Sequence, residues 1–237
     1  ADVIAAHLSA FDRTASRCYG DVGEQRAIVK ERFIVQPFLT KVGELVRPHT
    51  LEPLSLHIPL PVAIVADFGH GLIPDRESAA EISGRIGFLA LMVQSNSLNW
   101  GFNLFTKYPR ADYLVLDEPE LRLAYSDNRA TLRELIMRAG KEMGATYVAV
   151  TQGHRGATIY HKDHGFYEIP ALTDKVVDRM GAGDCFLAVT APLAYKDCPP
   201  EILGFVGSAA AALHVNKVGN PPLDKEQLIR FIKGLLA

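Results

Sequence analysis

The sequence predicts an α/β fold in which helices cover both faces of a mostly parallel sheet. Short apolar runs that are typical of buried parallel strands occur at 62–66, 88–93, 111–116 and 145–150, and helical patterns separate most of them. A chain of 237 residues with 48% hydrophobic residues is long enough to bury a substantial core. We therefore expect a single domain over residues 1–237.

The composition argues against nucleic acid and membranes as partners. A net charge of −2 and a pI near 6.5 provide no basic field that would attract either of them. No apolar run in the sequence approaches the length of a membrane-spanning helix. Cys18, Cys185 and Cys198 are widely spaced and form no CxxC pair, which is typical of reduced thiols. We therefore expect a cytoplasmic protein whose partner is a small molecule.

Before the first buried strand, the sequence predicts one strand between two helices. The helices are expected over 4–11 and 38–46, and the alternating residues 27–35 predict the strand. On a strand, Lys30 and Arg32 share one face and could form a cationic edge toward a phosphorylated sugar. A solvated strand face is the simpler explanation of the same two residues.

Asp67 ends the buried run at 62–66 and is followed by Gly69 and Gly71. Ligands of open α/β sheets bind outside the carboxyl ends of the strands, so this loop is a candidate substrate site. The alternative is that Asp67 caps the helix region at 74–90 or its loop. Within that region, a helix is expected over 75–86.

An amide-rich loop, residues 94–103, follows the second buried strand at 88–93. Its Asn, Gln and Ser side chains could hydrogen-bond a hydroxylated ligand, but turns favour the same residue types for local backbone bonding. We assign no site residue to this loop.

Two carboxylates, Asp117 and Glu120, follow the third buried strand at 111–116. Oxygen ligands of this kind suit a hard cation such as Mg²⁺, usually through bound waters. Acidic residues are also favoured at a helix N-terminus, so a purely structural role stays open.

A loop with two glycines, residues 151–156, follows the fourth buried strand. Gly153 and Gly156 would let the backbone approach phosphates, and Arg155 could neutralise them, although turns of this kind are common. A helix is expected over 128–143, ahead of that strand.

The segments 157–160 and 165–169 predict a β-hairpin. Its tip contains His161 and His164, which could ligate a metal. Because Lys162 lies between them on a turn, a solvent-exposed tip is the better interpretation.

The turn at 181–183 is the strongest functional signal in the sequence. An apolar run that ends at Val177 predicts a strand, and a helix is predicted over 182–195. The glycines let the helix begin close to a ligand, and the unpaired N–H groups at its start favour a phosphate or an oxyanion. Asp184 could then accept a proton from an attacking hydroxyl, although a simple helix-end charge is the alternative. We interpret the neighbouring Cys185 as a packing residue.

Two further helices are expected over 201–215 and 223–235. The first is rich in glycine and alanine, which permit close approach either to a neighbouring helix or to an adenine ring.

The motif Asp178-x-x-Gly181-Ala182-Gly183-Asp184-x-Phe186 closely resembles the C-terminal signature of the ribokinase-like (PfkB) carbohydrate kinases. The resemblance implies a ribokinase-like, three-layer, doubly wound α/β fold and ATP-dependent phosphoryl transfer to a sugar hydroxyl. It also implies that Asp184 is the catalytic base and that the backbone of Gly181, Ala182 and Gly183 forms the anion hole.

The resemblance further implies the cofactors ATP and Mg²⁺. Asp117 and Glu120 resemble the family's Asn-x-x-Glu motif, which organises magnesium and phosphates, with Asp in place of Asn. Six residues are implied to bind the nucleotide: Thr151, Gly153, Arg155, Gly156, Asn216 and Gly219.

Within the family, the segments 28–32 and 63–71 look most like the heptose-phosphate kinase branch, which has a lysine where this chain has His70. The implied acceptor is a sugar or a sugar phosphate such as a heptose phosphate. Four residues are assigned to its binding: Lys30, Arg32, Asp67 and Gly71.

The family's Gly-Gly sugar-binding motif does not occur before residue 60, so we expect a chain that lacks part of the N-terminal section. The alternative function is that of a non-catalytic ribokinase-like module that binds nucleotide or sugar. Association into a homodimer stays open.

Overall fold

The computed structural model describes residues 29–35, 40–47, 53–95 and 99–237, with only the backbone of the first two segments. The helix expected over 4–11 lies outside these residues. None of the helices in the described part of the chain is long and apolar enough to cross a bilayer.

The described residues form eight strands and six α-helices. The strands are β1 (Val29–Val35), β2 (Thr40–Arg47), β3 (Leu60–Asp67), β4 (Ile86–Val93), β5 (Tyr113–Asp117), β6 (Tyr147–Thr151), β7 (Ala157–His161) and β8 (Gly165–Ile169). The helices are α1 (Arg76–Gly84), α2 (Glu118–Tyr125), α3 (Leu132–Met143), α4 (Ala182–Tyr195), α5 (Pro200–Val215) and α6 (Lys225–Leu235).

β1 and β2 form an antiparallel two-stranded sheet in which Val29 pairs with Arg47. The strand expected at 27–35 is therefore confirmed, whereas the helix expected over 38–46 is wrong. That segment contains three β-branched residues and a glycine, which weaken a helix, and pairing with β1 satisfies its backbone instead.

The main sheet has six strands in the order β3-β4-β5-β6-β7-β8. The first four strands are parallel, and β7 and β8 add two antiparallel strands as the predicted hairpin. The predicted buried strands are confirmed, with bounds that differ from the expected ones by a few residues. Their apolar side chains alternate between two cores, one on each face of the sheet.

Helices cover both faces of this sheet. The core on one face contains buried residues of α1, α2 and α3, and the core on the other contains buried residues of α4 and α5. This arrangement confirms the three-layer α/β fold. A third cluster of buried residues joins α4 and α5 to α6.

The small residues of α5 serve close packing. A Cβ added to Gly207 would lie 2.5 Å from Phe186 in α4, and one added to Gly204 would lie 2.6 Å from Ile159 in β7. Helix α5 can therefore approach both elements closely because it lacks side chains at these two positions. Of the two explanations weighed from the sequence, helix packing accounts for these glycines.

The strand expected to end at Val177 is wrong. The described residues 170–180 contain no strand, and the N–H groups of Val177 and Asp178 both donate to the carbonyl oxygen of Val215. The apolar residues before the turn therefore attach it to the C-terminal end of α5 rather than to the sheet. The helix predicted to follow, α4, has the expected bounds.

Candidate active site

The carboxyl ends of the four parallel strands lie at one edge of the main sheet. Asp67 ends β3, Gln94 follows β4, Asp117 ends β5 and Thr151 ends β6. Register pairs Asp67 with Val93 and Asp117 with Thr151. The start of α4 reaches the same edge, because Gln94 contacts Asp184. The structure thus brings the predicted substrate, metal, nucleotide-loop and catalytic segments to one side of the sheet.

The turn before α4 is held by side-chain contacts. The carboxylate of Asp178 accepts hydrogen bonds of 3.0 Å from the N–H groups of Met180 and Gly219. His214 Nε2 lies 2.8 Å from the carbonyl oxygen of Met180. Gly181 has a φ of +77°, and a Cβ there would lie 2.1 Å from Asn220 Oδ1. Glycine is therefore required at position 181 by both conformation and space.

The next glycine faces open space. A Cβ added to Gly183 would meet no atom within 4 Å. Among the described residues, the N–H groups of Gly183 and Asp184 have no hydrogen-bond acceptor, whereas the N–H of Cys185 donates to Gly181. The positive end of this 14-residue helix therefore carries two donors that no described residue accepts, next to the void at Gly183, and such an end suits a phosphoryl group.

Asp184 lies beside this void, with 8% of the residue exposed. Gln94 Nε2 donates a hydrogen bond of 3.1 Å to Asp184 Oδ1. Burial raises the pKa of Asp184, and the charge of His214 and the Gln94 bond partly offset that rise. A carboxylate with a raised pKa is a stronger proton acceptor than an exposed one, which suits a general base.

Cys185 packs on the other side of the helix start. Its thiol is completely buried, and burial raises its pKa to about 12. The interpretation of Cys185 as a packing residue rather than a nucleophile is confirmed.

Asp117 and Glu120 form a capping box at the start of α2. Asp117 Oδ1 accepts a hydrogen bond of 2.7 Å from the N–H of Glu120, and Glu120 Oε2 accepts one of 3.0 Å from the N–H of Asp117. The two carboxylates thus have the structural role at a helix N-terminus that was the alternative to metal binding. Asp117 Oδ2 has no hydrogen-bond partner among the described residues, so a Mg²⁺ role stays a prediction. In that part of the chain no three His, Cys, Asp or Glu residues are grouped as metal ligands.

The ionisation of Glu120 couples to stability. Burial and the adjacent Asp117 carboxylate raise the pKa of Glu120 to about 8, whereas an exposed glutamate titrates near 4.3. Between these values the unfolded chain has lost a proton that the folded chain keeps. Stability therefore falls as pH rises, by up to about 1.4 kcal/mol per pH unit. Glu120→Gln should remove this slope in urea unfolding measured from about pH 5 to pH 8 without Mg²⁺.

The matched control is Glu226→Gln, at an exposed position in the first turn of α6. That variant should keep the wild-type slope. A slope that Glu120→Gln leaves unchanged would contradict the assignment of a raised pKa to Glu120.

Asp67 anchors its loop. Its carboxylate accepts hydrogen bonds from the N–H of Gly69 at 2.9 Å and from Tyr108 at 2.9 Å, and it pairs with Lys107 at 2.6 Å. Asp67 does not cap α1, because Asp75 does so through the N–H of Ser78. These contacts fix the shape of the loop, and direct contact between Asp67 and a substrate stays a prediction.

The structure shows fewer contacts for the other three predicted substrate residues, Gly71, Lys30 and Arg32. Gly71 lies in the loop after Asp67 with a φ of +98°. Lys30 and Arg32 lie on β1, and their side chains fall outside the description.

The predicted nucleotide loop is a tight turn after Thr151. Gly153–Arg155 form one turn of 3₁₀ helix, and Gly156 follows with a φ of +92°. Arg155 is paired with Glu118 of α2, so it must exchange that partner, or share it, to contact a phosphate. This pairing links the loop to the helix that starts at Asp117.

The two remaining nucleotide residues lie near the catalytic turn. The N–H of Gly219 donates to Asp178, which places that loop against the start of the motif. Asn216 follows α5, and its Nδ2 donates to the carbonyl of Ala212 at 2.8 Å. Contact of either residue with adenine stays a prediction.

The hairpin tip differs from expectation at one residue. Lys162, Asp163 and His164 are exposed, as expected, but only 4% of His161 is exposed. The ring of His161 packs edge-on against Tyr147, with 4.6 Å between the ring centroids. Its Nδ1 accepts a hydrogen bond of 3.1 Å from the N–H of Asp163, so that ring nitrogen is engaged.

Several contact residues of the site were missed from the sequence. Gln94 directly follows a buried strand, and a polar residue in that position is the signal that identified Asp67. Gln94 was not singled out because it begins a loop that contains several other amide and hydroxyl side chains. His214 carries no sequence signal beyond its place at the end of a helix rich in small residues. Lys107 and Tyr108 reach Asp67 only through the tertiary fold.

Comparison with known sequences agrees with this geometry. The sequence profile described as "pfkB family carbohydrate kinase" matches residues 95–224, which is more than half of the chain. Bifunctional protein HldE from Bradyrhizobium diazoefficiens is 25% identical over 177 residues, which are 72% of this chain and 34% of that protein. HldE from Koribacter versatilis is 26% identical over 131 residues, or 54% of this chain and 27% of that protein. The chain thus spans about a third or less of these relatives.

Solved structures show the same fold. Ribokinase from Thermotoga maritima superposes with a TM-score of 0.68 and 18% identity, covering 98% of this chain and 86% of that one. Phosphofructokinase-2 from Escherichia coli, in complex with potassium, gives a TM-score of 0.61 and 12% identity over 82% and 67% of the two chains. A profile match over most of the described site, together with a ribokinase-like fold, establishes that the chain belongs to the pfkB family of carbohydrate kinases.

Proposed function

We propose that the chain catalyses ATP-dependent phosphoryl transfer to a hydroxyl of a sugar or sugar phosphate. The observation that carries the proposal is the start of α4. There the N–H groups of Gly183 and Asp184, which have no acceptor in the described part of the chain, adjoin the buried Asp184 carboxylate and the open space at Gly183. Phosphoryl transfer needs mainly positioning and electrostatic stabilisation, and this arrangement provides both. Membership of a carbohydrate kinase family supports the same reaction.

Each part of the site has a role in this proposal. Asp184 accepts the proton of the acceptor hydroxyl as the hydroxyl oxygen attacks the γ-phosphorus. The bond between that phosphorus and the β,γ-bridging oxygen breaks, and ADP leaves with the bridging oxygen. The backbone of Gly181, Ala182 and Gly183 would form the anion hole. The N–H of Ala182 donates to the carbonyl oxygen of Arg179 at 3.4 Å, so the donors left to stabilise charge on the transferring group include those of Gly183 and Asp184. Asp117 and Glu120 are the residues that would hold Mg²⁺, usually through bound waters, and the ion would offset the charge of the phosphates.

The nucleotide is proposed to lie between two loops. The first loop, residues 151–156, contacts α2 through the ion pair of Arg155 with Glu118. The second, from Asn216 to Gly219, contacts the start of the catalytic turn through the hydrogen bond from Gly219 to Asp178. Backbone N–H groups of glycine-containing turns can approach phosphates closely. ATP bound there would point its terminal phosphate toward Gly183.

The acceptor is proposed to bind near the loop after β3, where Asp67 and Gly71 lie. Lys30 and Arg32 on the two-stranded sheet would add positive charge for a phosphorylated sugar. A heptose phosphate is the finer proposal, supported by the likeness of residues 63–71 to that branch of the family and by the HldE relatives.

The test is an ADP-release assay with ATP, Mg²⁺ and a panel of sugars and sugar phosphates, paired with calorimetry for the same ligands. We expect saturable ADP release with at least one acceptor, and higher turnover for a phosphorylated sugar than for its parent sugar. Binding of ATP or sugar without turnover would select the alternative, a non-catalytic module.

A further inference from the structure

Gln94 occupies a rigid position at the end of β4. Its N–H donates to the carbonyl oxygen of Asp67 at 2.9 Å, and its own carbonyl oxygen accepts a hydrogen bond of 3.1 Å from Asn103 Nδ2. The backbone of Gln94 is therefore held between the end of β3 and the loop that follows β4. The side chain therefore starts from a fixed point beside α4, and its Nε2 is held by Asp184 Oδ1 at 3.1 Å.

Gln94 and its neighbour hold two carboxyl groups from different helices. Gln94 Nε2 donates to Asp184 Oδ1 at 3.1 Å, and the N–H of Ser95 donates to Glu120 Oε1 at 3.2 Å. Asp184 belongs to the first turn of α4, whereas Glu120 belongs to the first turn of α2. The two-residue segment after β4 therefore joins the starts of both helices.

Gln94 provides the hydrogen bond that Asp184 receives within the described residues. Among the described residues, the ionisable groups that act on this carboxylate from neighbouring elements are Glu120 of α2 and His214 of α5, and Cys185 follows it in α4. The bond from Gln94 uses Oδ1, and no described residue donates to the second oxygen of Asp184, which would face the acceptor hydroxyl.

We propose that Gln94 is a positioning residue that orients the carboxylate of Asp184 toward the acceptor hydroxyl. The inference rests on the proposed function, since it assigns the orientation of the proposed base. A neutral amide suits this role because it donates to the carboxylate without adding charge. A carboxylic acid in the same place could donate only while it keeps its proton.

The test compares Gln94→Leu and Gln94→Glu with the wild type. We expect Gln94→Leu to lower kcat about tenfold with little change in the KM for ATP, because the base is misoriented while the nucleotide loops are untouched. Loss of a hydrogen bond to a charged group should also move the acid limb of the pH–rate profile up by about one pH unit. Gln94→Glu should move that limb further, because a second carboxylate faces Asp184.

A second readout does not depend on turnover. In protein labelled with carbon-13 at the aspartate carboxyl, the resonance of Asp184 is assigned by its loss in Asp184→Asn. Its titration midpoint should rise in the order wild type, Gln94→Leu, Gln94→Glu. The control is Gln227→Leu in α6, which removes the hydrogen bond that Lys217 donates to Gln227 Oε1. It should leave the titration midpoint of Asp184 unchanged.

The outcomes separate the two proposals. An unchanged midpoint and an unchanged pH profile in both Gln94 variants would overturn the positioning role, even if Asp184→Asn is inactive. Full activity of Asp184→Asn would instead overturn the proposed base. If Gln94→Leu does not fold, as judged by thermal melting, Gln94→Asn decides the result, because its amide is one methylene shorter and adds no charge. Wild-type kcat and an unchanged midpoint in that variant would overturn the positioning role.

Discussion

Asp184→Asn is expected to lower kcat by about 10²- to 10⁴-fold, the usual contribution of a positioned general base. Asparagine keeps the shape of the side chain and can still accept the hydrogen bond from Gln94, but it cannot take the proton of the acceptor. The KM for ATP should change little, because the nucleotide contacts lie in other loops. Steady-state ADP release and calorimetric titration with ATP measure the two quantities.

The control for this substitution is Asp163→Asn, in the exposed turn of the hairpin on β7 and β8. Asp163→Asn removes one negative charge, as Asp184→Asn does, and should keep wild-type turnover. Wild-type turnover of Asp184→Asn would remove the base from the mechanism.

The activity of the wild-type protein should also decline on the acid side at a pH above the ordinary aspartate pKa of about 3.9, since burial raises the pKa of Asp184.

Gly183→Ala is expected to separate catalysis from folding. The added methyl group would meet no protein atom within 4 Å, and position 183 lies in the first turn of α4, so stability should be unchanged or slightly higher. The methyl group would nevertheless occupy the void at Gly183, next to the backbone donors at the start of α4. We expect kcat/KM to fall about 10²-fold, comparable with the loss of an anion-hole donor.

Two other glycines provide controls. Gly84→Ala, at the end of α1, also meets open space and should leave both activity and stability near the wild-type values. Gly181→Ala should be destabilising by more than about 1–2 kcal/mol, because a φ of +77° alone costs about that much and the added Cβ would also lie 2.1 Å from Asn220 Oδ1. Thermal melting and ADP release are measured on all three variants. A Gly183→Ala protein with full activity would mean that the void does not receive the transferred group.

The parallel strands and α4 could be predicted because their sequences carry local signals. Buried parallel strands are continuous apolar runs, such as that before Asp67, and the Gly-rich start of α4 precedes a run of small and apolar residues. The same rule, that polar residues after such strands form sites, placed Asp67 and Asp117 correctly at the sheet edge. It could also have found Gln94.

The failures came from tertiary contacts that the local sequence does not carry. Residues 40–47 form a strand because β1 lies alongside them, and Val177 bonds to the end of α5 instead of a strand. Whether Arg155 is free to meet a phosphate depends on Glu118, which only the fold brings close. The pairing of Gln94 with Asp184 joins residues 90 positions apart, so no local pattern could reveal it.

The most direct test of the proposed site is a crystal structure of the chain with Mg²⁺, ADP and aluminium fluoride, which mimics the transferring phosphoryl group. The fluoride complex should lie at the start of α4, within about 3 Å of the N–H groups of Gly183 and Asp184. An oxygen in line for attack should lie at hydrogen-bond distance from the Asp184 carboxylate. A fluoride complex bound away from α4, with protein atoms filling the space before Gly183, would contradict the account.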